Sequence, residues 1–380
     1  MRIGLVGGGT GGHFYPLMAV SEKIREKYPS EKISLFYFGP SKYDEKYLTD
    51  LNINFVKVPA GKMRIYSSGR NYLDAFKVCF GVFIAMLKLP IVYPDVIFSK
   101  GGYTAFPVLC AARVLGIPVV VHDSDTVPGR VSIFGAKFAM LVSTAWAEAA
   151  KYFVNTVHIS PDKIMETGLP IRRILNPLYK QEKLEKKFTF IDKSLPLISI
   201  IGGSQGSQIL NESIISCLPF ILPFAQIIHQ TGKNNFQAVK HNTDNLLQNM
   251  PEKKNYFIKD AFNAQEMREI YSESSLMILR SGSQVLETYL WGIPSILVPI
   301  SEEVSRDQRS NAFASMRRGA SIVIEEHNLT PHILQNEVLR LLQDNRALTH
   351  MSASARESAI YDADQKIADV LIRISEDHYL

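Results

Sequence analysis

Two glycine-rich turns constrain this chain more than any other feature, because each stands directly after a short apolar run and directly before a helical pattern. The first is Gly7-Gly8-Gly9-Thr10-Gly11-Gly12-His13, after Ile3 to Val6; the second is Gly202-Gly203-Ser204-Gln205-Gly206-Ser207, after Leu197 to Ile201. Glycine reaches positive φ without steric cost and lets a ligand approach the backbone. The helix start beyond each turn offers unpaired N–H groups and the positive end of a dipole, a setting for an anion or a polarised oxygen. One such turn is as readily a plain strand–helix junction. Two in equivalent places imply two like domains, each offering a helix N-terminus to a cleft between them. Gly7, Gly9 and Gly12 also fit the dinucleotide pattern G-x-G-x-x-G, ranked lower because a histidine occupies the helix start and a second comparable turn exists. The second turn lacks Gly-Lys-Ser/Thr at Walker spacing, so a bound phosphate need not belong to ATP.

The rest of the chain agrees with this division. At 380 residues it exceeds a single hydrophobic core. Short β-branched runs alternate with helical patterns throughout, the signature of an α/β fold with largely parallel sheets. Expected strands are Ile3 to Val6, Leu35 to Gly39, Val96 to Ser99, Val119 to Val121 and Met140 to Ser143, then Leu197 to Ile201, Ile227 to Gln230, Leu276 to Leu279, Ile296 to Val298 and Ile322 to Ile324. Leu17 to Lys27 reads as a helix. The expected domains are 1–167 and 196–350, joined by a charged linker over 168–195. A continuous terminal helix over Met351 to Ile374, within 351–380, is placed to cross back to the first domain.

Composition sets limits on function. Three cysteines, far apart and odd in number, read as reduced and intracellular. No basic leader precedes a separate apolar core, so no signal peptide is expected. No uninterrupted apolar run reaches spanning length; the best, Val78 to Leu87, is too short. Basic residues outnumber acidic ones over the first 150 positions, a field suited to an anionic ligand or leaflet. Lys57, Lys62, Arg64, Arg70 and Lys77 surround Asp74 just before that apolar stretch. The stretch is either a helix resting on a membrane or a buried crossover helix with a basic rim. Nucleic acid is not an expected partner, since no finger, RRM-type or KH-type signature occurs.

The polar candidates fall at strand ends. His13, at a helix N-terminus where its cationic form is disfavoured, is either a general base or a residue fixing the turn. His122-Asp123-Ser124-Asp125 follows Val119 to Val121 and either binds a polar acceptor, positions His13 or is a loop with an acidic edge. Arg280-Ser281-Gly282-Ser283 leads to Glu287, a carboxylate able to hold two ribose hydroxyls or to sit plainly on a helix surface. Gln308 and Asn311 share one helical face. No metal constellation surrounds either His13 or His122, and no cofactor is required; a divalent cation is left as a possible aid to a diphosphate.

Together, Gly8 to His13 with Pro16, Gly101-Gly102-Tyr103, Ile117-Pro118 to His122, Gly168-Leu169-Pro170-Ile171-Arg172, Gly202 to Gly206, Arg280 to Glu287 and Gln308 with Asn311-Ala312 carry a resemblance. The chain resembles the bacterial peptidoglycan glycosyltransferases that move N-acetylglucosamine from its uridine diphosphate onto the lipid-linked muramyl-pentapeptide. The resemblance implies two Rossmann-like domains with parallel sheets around an interdomain cleft, the GT-B-type architecture. It implies an inverting transferase forming a β-1,4 linkage, peripheral on the cytoplasmic face of the membrane, whose anionic surface would be a partner. The first domain would serve the acceptor and the membrane, the second the donor. Donor contacts would include Ser204, Gln205, Gly206, Gly282, Ser283 and Glu287, with Arg172 and Gln308. Thr10, Gly11 and Gly12 would join them on the sugar side, where His13 is the candidate base. His122, Asp123 and Asp125 would face the acceptor, although the family's His-Glu-x-Asn is here His122-Asp123-Ser124-Asp125, with a shorter first acid and a charge in place of the amide. Alternatives are another lipid or glycoside acceptor, a non-catalytic nucleotide-sugar-binding module, and a sugar epimerase using the same twin-domain plan.

Overall fold

The computed structural model of the chain describes residues 1–61, 70–179, 187–203, 206–301 and 306–377, without side chains at 70–73 and 306–307. The chain forms two compact units, Met1–Arg173 with Asp362–Leu380, and Ile174–Tyr361.

The first unit is built on seven parallel strands: β1 (Arg2–Val6), β2 (Ser34–Gly39), β3 (Ile53–Lys57), β4 (Val96–Ser99), β5 (Val119–Asp123), β6 (Leu141–Thr144) and β7 (Ile164–Glu166), in the order β3-β2-β1-β4-β5-β6-β7. The second has six: β8 (Leu197–Ile201), β9 (Gln226–Gln230), β10 (Tyr256–Lys259), β11 (Ser274–Leu279), β12 (Ser295–Leu297) and β13 (Ser321–Val323), in the order β10-β9-β8-β11-β12-β13. Central strands such as β4, β5, β8 and β9 are buried along their whole length. That explains their continuous apolar runs, since helices cover both faces of a parallel sheet. Strand order reverses between β1 and β4 in one sheet and between β8 and β11 in the other. At such a switch point the carboxyl ends of neighbouring strands open a crevice. Both glycine turns lie at these positions.

Three expectations require correction. Residues 168–195 are not a loose linker: 168–173 belong to the first unit and 174–195 to the second. The Arg268 guanidinium donates to the carbonyls of Ile174, Asn176 and Tyr179, and Phe188 is buried among Phe190, Phe257 and Phe262. Part of the expected charged loop, 180–186, lies outside the described residues. The terminal helix is also not continuous. One helix, Asn345–Glu357, belongs to the second unit, and another, Ala363–Asp377, packs Ile367, Ala368, Leu371 and Ile372 into the first unit's core with Leu17, Val20 and Ile24.

The third correction concerns the apolar stretch. It extends into a helix, Arg70–Val92, whose Asp74–Val92 window has a mean hydropathy of 2.0, long and apolar enough to cross a membrane with only 17% of it buried. Counting unbroken apolar residues hid this, because Lys77 and Lys88 interrupt the run. The helix has two apolar faces. Asp74, Val78, Gly81, Ala85 and Leu89 are buried, and a Cβ added to Gly81 would stand 2.1 Å from the Pro59 carbonyl oxygen. Phe76, Phe80, Phe83, Leu87 and Ile91, spaced one turn apart, are exposed. Lys77, paired with Asp74 at 3.7 Å, and Lys88, bonded to the Lys57 carbonyl, flank the exposed face. Lys62, Arg64 and the side chain of Arg70 lie outside the described residues.

Candidate functional site

In the first unit the glycine turn is demanded by what crowds it. Gly9 has φ +87°, and a Cβ there would meet the Tyr103 ring at 2.7 Å; on Gly8 it would meet the Tyr37 hydroxyl at 2.5 Å. The first helix, Gly11–Lys27, starts inside the turn, earlier than its apolar periodicity indicates. Thr10 is its N-cap, yet its hydroxyl does not cap a backbone N–H. It lies 2.8 Å from His13 Nδ1 instead. When Nδ1–H donates to that hydroxyl, Nε2 is the basic nitrogen. Burial, then the Lys100 ammonium, lowers the His13 pKa to about 4, so the ring is a neutral proton acceptor at neutral pH. Gly11 and Gly12 provide the first N–H groups of the helix, which have no intrahelical acceptor.

The loop after β5 separates the acceptor candidates. His122 is 0% exposed, and its Nε2 meets the Gly168 carbonyl at 2.9 Å. Asp123 is buried, accepting from Asp125 N at 2.9 Å and Gly129 N at 3.1 Å. In the structure His122 and Asp123 both bond to backbone groups that shape the loop. Asp125, half-buried, still has surface available. Arg172, also of this unit, lies with its guanidinium carbon 3.8 Å from the centre of the Tyr15 ring.

In the second unit, Ser204 and Gln205 lie outside the described residues. Gly206 has φ +76°, and a Cβ there would stand 2.0 Å from the Thr231 carbonyl oxygen, so only glycine fits. Ser207 caps the helix Gln208–Ile221 by accepting from Leu210 N. Across the switch point, the Arg280 guanidinium donates to the Ser207 hydroxyl and to the carbonyls of Val298 and Pro299, and pairs with Glu326. A cavity of about 500 Å³ opens between Gly202, Gly206, Ser207, Arg280 and Glu326. The sequence marks Arg280 as the start of a strand–helix motif but gives its charge no role. Its counter-charge lies in a short turn after β13, far along the chain.

The remaining donor candidates surround the same strand ends. A Cβ on Gly282 would meet nothing within 4 Å, so there is open space above it. Ser283 precedes the helix Gln284–Trp291 without capping it through its side chain. Glu287, in the first turn of that helix, accepts from the Tyr271 hydroxyl at 2.6 Å, and Tyr271 accepts from Gln284 Nε2. The Gln308 side chain accepts from Ile300 N, while its carbonyl takes the Ser281 hydroxyl; Asn311 donates to the Ser281 carbonyl. Gln308 and Asn311 thus brace the loop that follows β11. A larger hollow of about 830 Å³, beside Trp291 and Arg356, opens at the opposite, amino-terminal edge of the sheet. Among the described residues no three of His, Cys, Asp and Glu gather as a metal site.

Comparison with known proteins fits this geometry. The glycosyltransferase family 28 N-terminal domain matches residues 3–144, and the family 28 C-terminal domain matches residues 197–367. A relative from Clostridium kluyveri, called UDP-N-acetylglucosamine–N-acetylmuramyl-(pentapeptide) pyrophosphoryl-undecaprenol N-acetylglucosamine transferase, is 30% identical over 97% of this chain and 98% of its own. The crystal structure of MurG from Acinetobacter baumannii is similar in fold, with a TM-score of 0.71 at 23% identity, covering 98% of this chain and 99% of that one. The fold is shared more widely: a UDP-N-acetylglucosamine 2-epimerase structure from Listeria monocytogenes reaches a TM-score of 0.73 at 12% identity, covering 98% of this chain and 95% of that one. On the two domain matches and the near full-length kinship, the chain belongs to glycosyltransferase family 28, among the UDP-N-acetylglucosamine–N-acetylmuramyl-(pentapeptide) pyrophosphoryl-undecaprenol N-acetylglucosamine transferases.

Proposed function

We propose that the protein transfers N-acetylglucosamine from UDP-N-acetylglucosamine to the lipid-linked muramyl-pentapeptide, forming a β-1,4 linkage with inversion. The observation that carries the reading is the pair of switch-point turns, one beside a neutral histidine and one beside a buried-edge arginine, in a chain related along nearly its whole length to such transferases.

The second unit holds the donor. Amides at the start of the helix Gln208–Ile221 and the Arg280 guanidinium oppose the charge that grows on the leaving diphosphate. Ser204, Gln205 and Gly206 belong to that diphosphate turn, Glu287 takes the ribose hydroxyls, and Gly282 and Ser283 leave room beside them. The first unit serves the acceptor. Its hydroxyl oxygen attacks the anomeric carbon of the donor sugar, the bond from that carbon to the diphosphate oxygen breaks, and UDP leaves with the electron pair. The hydroxyl proton passes to His13 Nε2. Thr10, Gly11, Gly12 and Arg172 are assigned to the sugar, and Asp125 to the acceptor. No resident cofactor is assigned.

The exposed stripe Phe76, Phe80, Phe83, Leu87 and Ile91, with Lys77 and Lys88 beside it, is assigned to the membrane surface that carries the acceptor. The buried face of the same helix is packed on the first unit, which favours lateral contact over spanning; the protein is assigned to the cytoplasmic leaflet as a peripheral enzyme because its relatives are named for a lipid-linked acceptor. Product analysis tests the reading: UDP-N-acetylglucosamine and the muramyl lipid are incubated with the wild type and with His13→Ala, with and without a chelator. The expected result is the disaccharide lipid and UDP from the wild type. His13→Ala should bind donor normally and transfer at least a hundredfold more slowly, roughly the contribution of a general base. An epimerised donor sugar, or saturable binding without turnover, would overturn the reading.

A further inference from the structure

Lys100, directly after β4, is a cation in a costly place. It is 3% exposed, and of the three N–H donors of its ammonium one is placed, on Ser124 Oγ at 2.9 Å. Asp123 and Asp125 favour its charge from a distance, against burial, which disfavours it. A buried charge without a close counter-charge is destabilising compared with an apolar side chain of the same size. The fold alone therefore gives no reason to keep it.

What Lys100 lies against does. Its N–H donates to the Val6 carbonyl at 2.9 Å, and a Cβ on Gly7 would stand 2.9 Å from its own Cβ, which sets it beside the first glycine turn. Two residues on, Gly102 covers the His13 imidazole: a Cβ there would lie 3.2 Å from Cδ2 and 3.3 Å from Nε2. One short segment thus buries an ammonium and roofs the ring of the candidate base.

We propose that Lys100 is a positioning residue of the transfer reaction, a buried cation that acts on the acceptor only through His13 and fixes the pH range in which that ring takes a proton. This rests on His13 being the base. The other groups around the pair are His122 and Asp123 on β5, Asp125 beyond it, and Tyr37 on β2 and Tyr103 after Gly102, which crowd Gly8 and Gly9 of the same turn. The two carboxylates offset the ammonium in part, and His122 is itself held neutral by burial and then by Lys100. For His13, burial is the larger influence and Lys100 the second. Removing the charge therefore restores only part of the ring's ordinary basicity. The arrangement makes a weaker base, but one that remains unprotonated further into acid.

The test uses Lys100→Met, which keeps chain length and removes the charge, and Lys100→Arg, which keeps the charge. Replacing an unpaired buried cation by an apolar side chain is not expected to unfold the protein; if Lys100→Met fails to fold, Lys100→Gln replaces it with the same expectation. Two readouts are taken on the full chain: the NMR titration of the His13 ring, assigned by its loss in His13→Gln, and the acid limb of kcat/KM for the acceptor. In Lys100→Met both should move up by about one pH unit, the low end of what one nearby charge does. Lys100→Arg should stay close to the wild type. An unmoved ring titration in Lys100→Met overturns the proposal, and a moved titration with an unmoved acid limb overturns its link to the reaction. Near wild-type transfer by His13→Gln defeats the base assignment itself, whatever Lys100 does to the ring.

Discussion

Replacing Phe83 and Ile91 together by serine separates a membrane face from a protein core. These side chains are 57% and 79% exposed on the helix Arg70–Val92, on the face away from Val78, Ala85 and Leu89. Burying a whole side chain of this kind is worth about 1.5–3 kcal/mol. Scaled by the exposed fractions, the pair can gain about 2–4 kcal/mol from a lipid surface, roughly 30- to 800-fold in partition. Folding should barely change, since substitutions at exposed positions usually stay within about 0.5 kcal/mol. The assay is vesicle co-sedimentation with neutral and anionic lipid, run beside a thermal melt. The double variant should lose binding to both vesicle types and keep its Tm. Unchanged sedimentation would refute the membrane assignment, and a Tm lowered by many degrees would show that protein covers the stripe.

Three further substitutions concern the second unit. Gly206→Ala should cost about 2–4 kcal/mol in urea unfolding and abolish UDP binding, from the left-handed φ and the clash with Thr231; Gly203→Ala, with φ +84° but open space around it, should cost only about 1–2 kcal/mol. Glu287→Ala should raise the donor KM by roughly 10- to 100-fold, the worth of a charged hydrogen bond, and leave the acceptor KM alone; unchanged donor dependence in steady-state kinetics would remove Glu287 from the ribose.

What the sequence made legible follows from burial. The central strands read clearly because both their faces are covered, which turns them into unbroken apolar runs. The strands that escaped notice, β3, β7 and β10, all lie at sheet edges, where half-exposed residues such as those of Tyr256–Lys259 blur the pattern. In the first unit, the turn and His13 were readable as local chemistry. Lys100 was not, because its meaning depends on β1 and β4 pairing side by side. His122 and Asp123 were visible as polar residues at a strand end, but only packing reveals that His122 Nε2 and the Asp123 carboxylate bond to backbone groups. The apolar helix was ambiguous for a similar reason: both its faces carry apolar residues, and the larger ones, Phe76, Phe80, Phe83, Leu87 and Ile91, are on the face the sheet leaves exposed.

The helix Ala363–Asp377 completes a core whose other parts were synthesised some two hundred residues earlier. On the ribosome, the first unit therefore emerges with the face formed by Leu17, Val20 and Ile24 lacking its final cover until residue 377 has left the exit tunnel. The second unit, continuous from Ile174 to Tyr361, has no such dependence and can close first. Domains made N-terminal first usually fold in that order; here the thread that returns at Asp362 reverses it. A stalled or prematurely terminated chain would accordingly show a finished second unit joined to an unfinished, sticky first unit, a ready target for chaperones and proteases.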